Sequence, residues 1–101
     1  MNAPLVTKCK NKNGETEYHL EFDSAWDGFD SFVQYLQRHW SAEVSEFRDD
    51  VYSRRWVLRV DGVPVSVYHD SQIGNYFLRE DGVSDQRQLE QIEEDLVRRM
   101  S

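Results

Sequence analysis

Two periods alternate along this chain, and the switches between them mark out its elements. Residues 5–9 and 16–22 alternate apolar and polar side chains with a period of two. They flank Asn11-Lys12-Asn13-Gly14, whose Asn-Gly end supplies the positive φ of a hairpin loop. In the second strand Tyr18, Leu20 and Phe22 share one face while Glu17, His19 and Glu21 share the other, so one face is meant for a core. Lys8 and Lys10 are expected opposite those glutamates.

The period then lengthens. Phe29, Phe32, Val33, Leu36 and Trp40 recur at spacings of three and four, with Gln34, Gln37 and Arg38 turned away, and Asp27 is placed to cap a helix starting near Gly28. Asp30 adds negative charge to its first turn. Residues 42–47 read as a strand in which Glu46 marks a bulge or an edge. Residues 51–60 put Tyr52, Trp56, Leu58 and Val60 on one face and Ser53, Arg55, Val57 and Arg59 on the other. After the Asp61-Gly62 turn, residues 64–68 return with Val63, Val65 and Val67 on a single face. A last strand is expected over 76–79, between Gly74-Asn75 and Asp81-Gly82. Ser84 is placed to cap a final helix with Leu89, Ile92, Leu96 and Met100 as its buried stripe, and Glu94/Arg98 and Asp95/Arg99 as its outer pairs.

The resulting order, ββαβββ(β)α over residues 1–101, predicts one α+β domain with a mainly antiparallel sheet. Both helices are expected on one face. The other face would show Glu17, His19, Glu21, Arg55, Val57, Arg59, Ser66 and Tyr68, extending to Phe77 and Arg79. Arg54 breaks the pattern. It falls on the apolar face between Tyr52 and Trp56, so it needs a carboxylate partner at the sheet end or a shift of register.

Composition narrows the function classes. A 101-residue chain with 39% hydrophobic residues can bury an ordinary core without metals or disulfides. Its net charge of −7 opposes binding to a phosphate backbone and favours a basic protein partner. Cys9 is the only cysteine, so no internal disulfide forms, which fits a reducing, cytoplasmic setting. No run of about 20 apolar residues suits a membrane span, and the start lacks the apolar stretch of a signal peptide.

Reactive chemistry has little support in the spacing. Neither C-x-x-C nor H-x-x-x-H occurs, and His19, His39 and His69 are far apart, so neither a metal site nor a cofactor is expected. Tyr68-His69-Asp70 is the compact catalytic candidate, although adjacent strand residues point to opposite faces. The glycines are isolated and form no phosphate cradle. Arg55, Arg59, Tyr68 and Phe77 on an open sheet would suit stacked RNA bases, but Glu17 and Glu21 share that face. Carboxylates imitating DNA phosphates are a further alternative. Trp40 and Trp56 read as core residues, and Trp26 as partly exposed.

In size, charge and its middle segment, Tyr52-Ser53-Arg54-Arg55-Trp56 to Asp61-Gly62, then Tyr68-His69-Asp70 and Gly74-Asn75-Tyr76, the chain resembles small acidic one-domain bacterial proteins of unknown function, including immunity proteins of polymorphic toxin systems. That resemblance implies a protein that covers the basic active site of a cognate toxin. The expected function is therefore a non-catalytic protein-binding module, an immunity-type inhibitor or small chaperone. Trp26, Tyr35, Arg55, Arg59, Tyr68, His69 and Tyr76 are the expected contact residues. The alternatives are a small enzyme using His69 as acid/base and a nucleic-acid binder or mimic. A homodimer would use the same open face or a free edge strand.

Overall fold

A computed structural model describes residues 4–101. The first hairpin joins β1 (Val6–Lys10) to β2 (Thr16–Leu20), with Gly14 at φ +79° in its loop. Helix α1 (Trp26–His39) follows, then β3 (Glu43–Asp49), β4 (Ser53–Val60), β5 (Val63–Asp70), β6 (Gly74–Leu78) and α2 (Arg87–Met100). The six strands form one antiparallel sheet in the order β1-β2-β6-β5-β4-β3. The predicted α+β class and element order hold. Asp61 and Gly62, at φ +51° and +80°, supply the two positive angles that a two-residue β4–β5 hairpin requires.

Both helices cover the same face. Phe29, Phe32, Val33 and Leu36 of α1 and Leu89, Ile92 and Leu96 of α2 join Tyr18, Leu20, Leu58, Val60, Val65, Val67 and Phe77 of the sheet in one buried cluster. At its centre the Phe77 ring stacks between Tyr18 at 4.9 Å and Phe32 at 5.1 Å. On the opposite face Val57, Ser66 and Leu78 form one cross-strand row. They are buried without a helix above them. Their side chains are short, and they lie beside the longer Arg55, Tyr68 and Tyr76.

Several local expectations are corrected. Phe77 points into the core, and Tyr76 and Leu78 take the open face, because Tyr18 and Phe77 are register partners. Cys9, not a lysine, lies opposite Glu17, while Lys8 lies opposite Tyr18 and pairs with Glu93 of α2 at 3.2 Å. Helix α1 begins before Asp27, after Ala25, whose N–H donates to the Asp23 carboxylate. Gly28 leaves room for that carboxylate, which a Cβ at this position would strike. Ser84 is not the α2 cap. Asp85 accepts the Arg87 N–H at 3.0 Å, and Gln86 accepts the Tyr18 hydroxyl. Met100 is half exposed, and Arg98 turns to Asp95 in place of Glu94.

A hydrogen-bond chain ties the two helices together. Trp40 Nε1 donates to the Tyr35 hydroxyl at 2.8 Å, and that hydroxyl donates to Asp95 Oδ2 at 2.5 Å. Arg98 and Arg99 also bind Asp95. The Tyr35 hydroxyl and the two guanidinium groups hold the Asp95 carboxyl well below the usual carboxylate range. Because the arginines are largely exposed, the tyrosine bond carries most of the stabilisation, and Asp95→Asn is expected to cost about 1–2 kcal/mol at neutral pH. A depressed folded pKa stabilises above the unfolded value, about 3.9, and that stabilisation is lost as pH falls through the folded value. Urea unfolding at pH 7 and pH 3 should therefore show the gap between wild type and variant narrowing in acid. An equal gap at both pH values would contradict this account.

Candidate functional site

β3 is an edge strand, and all seven of its residues are exposed. The reason lies in helix placement: α1 lies over β5 and β6, so the layer above the sheet runs out before β3. Phe47 points to the helix side, with Trp56 as its register partner and ring neighbour at 5.7 Å, and remains 71% exposed. The β3–β4 turn adds Val51 and Tyr52, which are 79% and 73% exposed. Ile73, in the β5–β6 turn at the same end of the sheet, is exposed as well, and the Ser71 N–H donates to the Tyr52 carbonyl, tying the two turns together. Large apolar side chains are thus gathered at one end of the sheet.

Arg54 fixes the inner wall of this end. Its guanidinium lies 4.3 Å from the Phe29 ring centre, 4.8 Å from Trp26 and 5.4 Å from Trp56, and it binds Asp30 and Asp49 at 3.0 Å each. The anomaly in the strand pattern is therefore a buried guanidinium paired with two half-exposed carboxylates, as one of the two expected solutions required. Trp26, partly exposed, stacks edge-on against His69 at 5.2 Å. β3 and its turn carry four carboxylates, three of them already paired, Glu46 with Arg55, Asp49 with Arg54 and Asp50 with Arg48, while Glu43 stands opposite Arg59 at the far end of the strand. The Ser45 position carries the bulge, where the register shifts between Val44 and Glu46.

The open sheet face carries a second feature. His19, Tyr76, Tyr68 and Arg55 occupy one cross-strand row from β2 to β4. His19 stacks on Tyr76 at 4.8 Å and Tyr76 on Tyr68 at 5.0 Å with an interplanar angle of 2°. Arg55 closes the row, its Nε donating to the Tyr68 hydroxyl at 2.9 Å, which itself donates to Glu80. Burial, then the charge of Glu17, pushes the Tyr76 hydroxyl up to about 12. Nearly every polar head in this row is already satisfied within the fold.

Of the expected contact residues, Trp26, Arg55, Arg59, Tyr68 and Tyr76 reach the surface at least in part. Tyr35 is committed to Asp95 and Trp40, and burial with that bond pushes its hydroxyl up to about 12. His69 is not an exposed contact. It lies on the helix side of β5, 5% exposed, and its Nδ1 meets Asn75 Oδ1 at 2.7 Å. Asn75 Nδ2 donates to the carbonyls of Asp23 and Ala25, which fixes the amide and leaves Oδ1 as the acceptor of a His69 Nδ1 proton. Asp70 faces the other way and accepts the N–H groups of Gln72 and Ile73. No His69–Asp70 dyad is formed.

Sequence reasoning missed Phe47, Val51 and Tyr52. The imperfect alternation of residues 42–47 was the one signal; Tyr52, expected on the apolar face with Trp56 and Leu58, is instead exposed because the strand starts only at Ser53. It also missed a juxtaposition on the open face of the first hairpin. Among the described residues, Cys9, Glu17 and His19 form the one group whose metal-ligating atoms all lie within 4.8 Å of one another. Loss of hydration, then the charge and hydrogen bond of Glu17, raises the Cys9 thiol pKa. Compared with protein-family models, curated proteins and solved structures, the chain matches none.

Proposed function

We propose that this protein is a non-catalytic binding module that docks on a basic protein surface through β3 and the β3–β4 turn. The observation that carries this reading is the exposure of Phe47, Val51 and Tyr52 together at one sheet end, on an edge strand with free backbone groups. Exposed aromatics of this kind supply the desolvated centre of an interface, and around them the ion pairs Glu46–Arg55, Asp49–Arg54 and Asp50–Arg48 form a polar rim on a chain whose net charge is −7. That net charge steers a cationic partner and raises the association rate at low salt. An immunity-type inhibitor covering a toxin's basic cleft, or a small chaperone of a basic client, would use this chemistry. The commitment of His69 to Asn75 and of the Tyr68 hydroxyl to Glu80 weighs against the acid/base alternative.

The test is affinity capture from the native host with wild type and the double variant Phe47→Asp/Tyr52→Asp. Both positions are exposed, so the fold should tolerate the change. The expected result is a basic protein retained by wild type, released progressively by added salt, and bound at least ~30-fold more weakly by the variant, the loss expected of one interface hot spot. Equal binding by the variant would sink the proposal, as would concentration-dependent self-association of wild type that the variant abolishes.

A further inference from the structure

At the far edge of the sheet from β3, the hairpin β1–β2 brings a thiol, a carboxylate and an imidazole together. Cys9 and Glu17 are cross-strand partners, and Glu17 and His19 are neighbours on the same face of β2. Glu17 Oε1 lies 2.9 Å from His19 Nε2 and 3.9 Å from Cys9 Sγ. We propose that Cys9, Glu17 and His19 form a three-ligand site for a borderline-soft divalent cation of the zinc type.

Four features support it. The donor set is sulfur, nitrogen and oxygen, which favours zinc and its d-block neighbours over magnesium or calcium, whose preferred ligands are all oxygen. The spacing is close to that needed, since bonds of about 2.0–2.3 Å to a tetrahedral ion place its ligands roughly 3.3–3.8 Å apart. Movements of about an ångström or less at the ends of side chains would complete the site. The imidazole is also oriented in advance, because its ring is stacked on Tyr76, which is stacked on Tyr68. A second carboxylate, Glu21, is held alongside by the Thr7 hydroxyl at 2.7 Å, where Thr7 is the register partner of His19. The local charge therefore suits a cation. Three protein ligands leave the fourth position to water or to a donor from another molecule.

The experiment titrates the full chain, kept reduced, with Co²⁺ and follows the thiolate-to-cobalt charge-transfer absorption. The expected result is saturation at one ion per chain, displacement by Zn²⁺ and no displacement by Mg²⁺. Cys9→Ser should abolish the band, and Glu17→Gln and His19→Gln should each weaken binding by at least ~tenfold, since even the loss of an outer-shell partner weakens metal binding by about 10–100-fold. Zinc should also protect Cys9 of the wild-type chain from alkylation, a measurement that needs no folded variant. An unchanged band in both Gln variants would reduce the site to a lone thiolate and overturn the proposal. Saturation at half an ion per chain would do the same, by showing that the ion bridges two molecules through Cys9. So would alkylation of Cys9 at the same rate with and without zinc.

Discussion

Arg54→Ala is expected to lower the stability of the fold by about 2–4 kcal/mol, read as a shift of the urea midpoint at constant slope. Breaking a buried ion pair commonly costs about 3–5 kcal/mol because a charge is left buried and unpaired. Here that part is reduced, since Asp30 and Asp49 are 46% and 43% exposed and can regain water. What remains is the loss of packing: a guanidinium that is 6% exposed and lies against Trp26, Phe29 and Trp56 would leave a hole between three aromatic rings. Arg54→Met fills the hole without the charge and should recover roughly half of the loss. Arg54→Lys should not recover it fully, because an ammonium cannot lie flat on the rings while also binding both carboxylates. A loss below about 1 kcal/mol for the alanine variant would mean that the ion pair is not part of the folding energetics.

Asn75→Ala should be of similar size, about 3 kcal/mol. The side chain is 2% exposed and holds three groups at once: His69 Nδ1 and the carbonyls of Asp23 and Ala25. Truncation leaves the buried His69 Nδ1 without a partner and strips a donor from the Asp23 carbonyl, while the Ala25 carbonyl keeps the Gly28 N–H; an unpaired buried group costs about 1–3 kcal/mol, and the lost packing of a 2% exposed side chain adds to it. The segment that leads into α1 is anchored to β6 by these bonds, so the N-terminal turn of the helix should loosen as well. Amide hydrogen exchange would show this as faster exchange in the first turn of α1 than at its centre. Uniform exchange along the helix would place the anchor elsewhere.

The two helical stripes and the Asp61-Gly62 hairpin were legible because each rests on a local rule: spacing of three and four, or two adjacent positive φ angles. Arg54 was legible as a conflict between charge and an apolar face, and its solution lay in Asp30 and Asp49, which no local pattern connects to it. β6 was misread because Tyr76, Phe77 and Leu78 are apolar on both faces, so alternation has no contrast and the register with Tyr18 decides. His69 was available to a stricter reading, since it continues the face of Val65 and Val67. Of the candidate site, Trp26 was visible in part. Phe47 and Tyr52 were not, because where the helix layer ends is a property of the assembled sheet. The same holds for Cys9, Glu17 and His19, whose approach depends on the hairpin register.

The place of β2 beside β6 also sets an order of events. The strands β3 to β6 pair with their sequence neighbours, whereas Tyr18 and Phe77 must meet across most of the chain. Closing that long loop costs entropy that local hairpins avoid. During synthesis the first hairpin leaves the ribosome before its docking edge exists, so it must wait, with Tyr18 and Leu20 uncovered, until Phe77 has been made. Mutations in β1 and β2 should therefore speed unfolding while barely slowing folding, the kinetic mark of a segment that joins last.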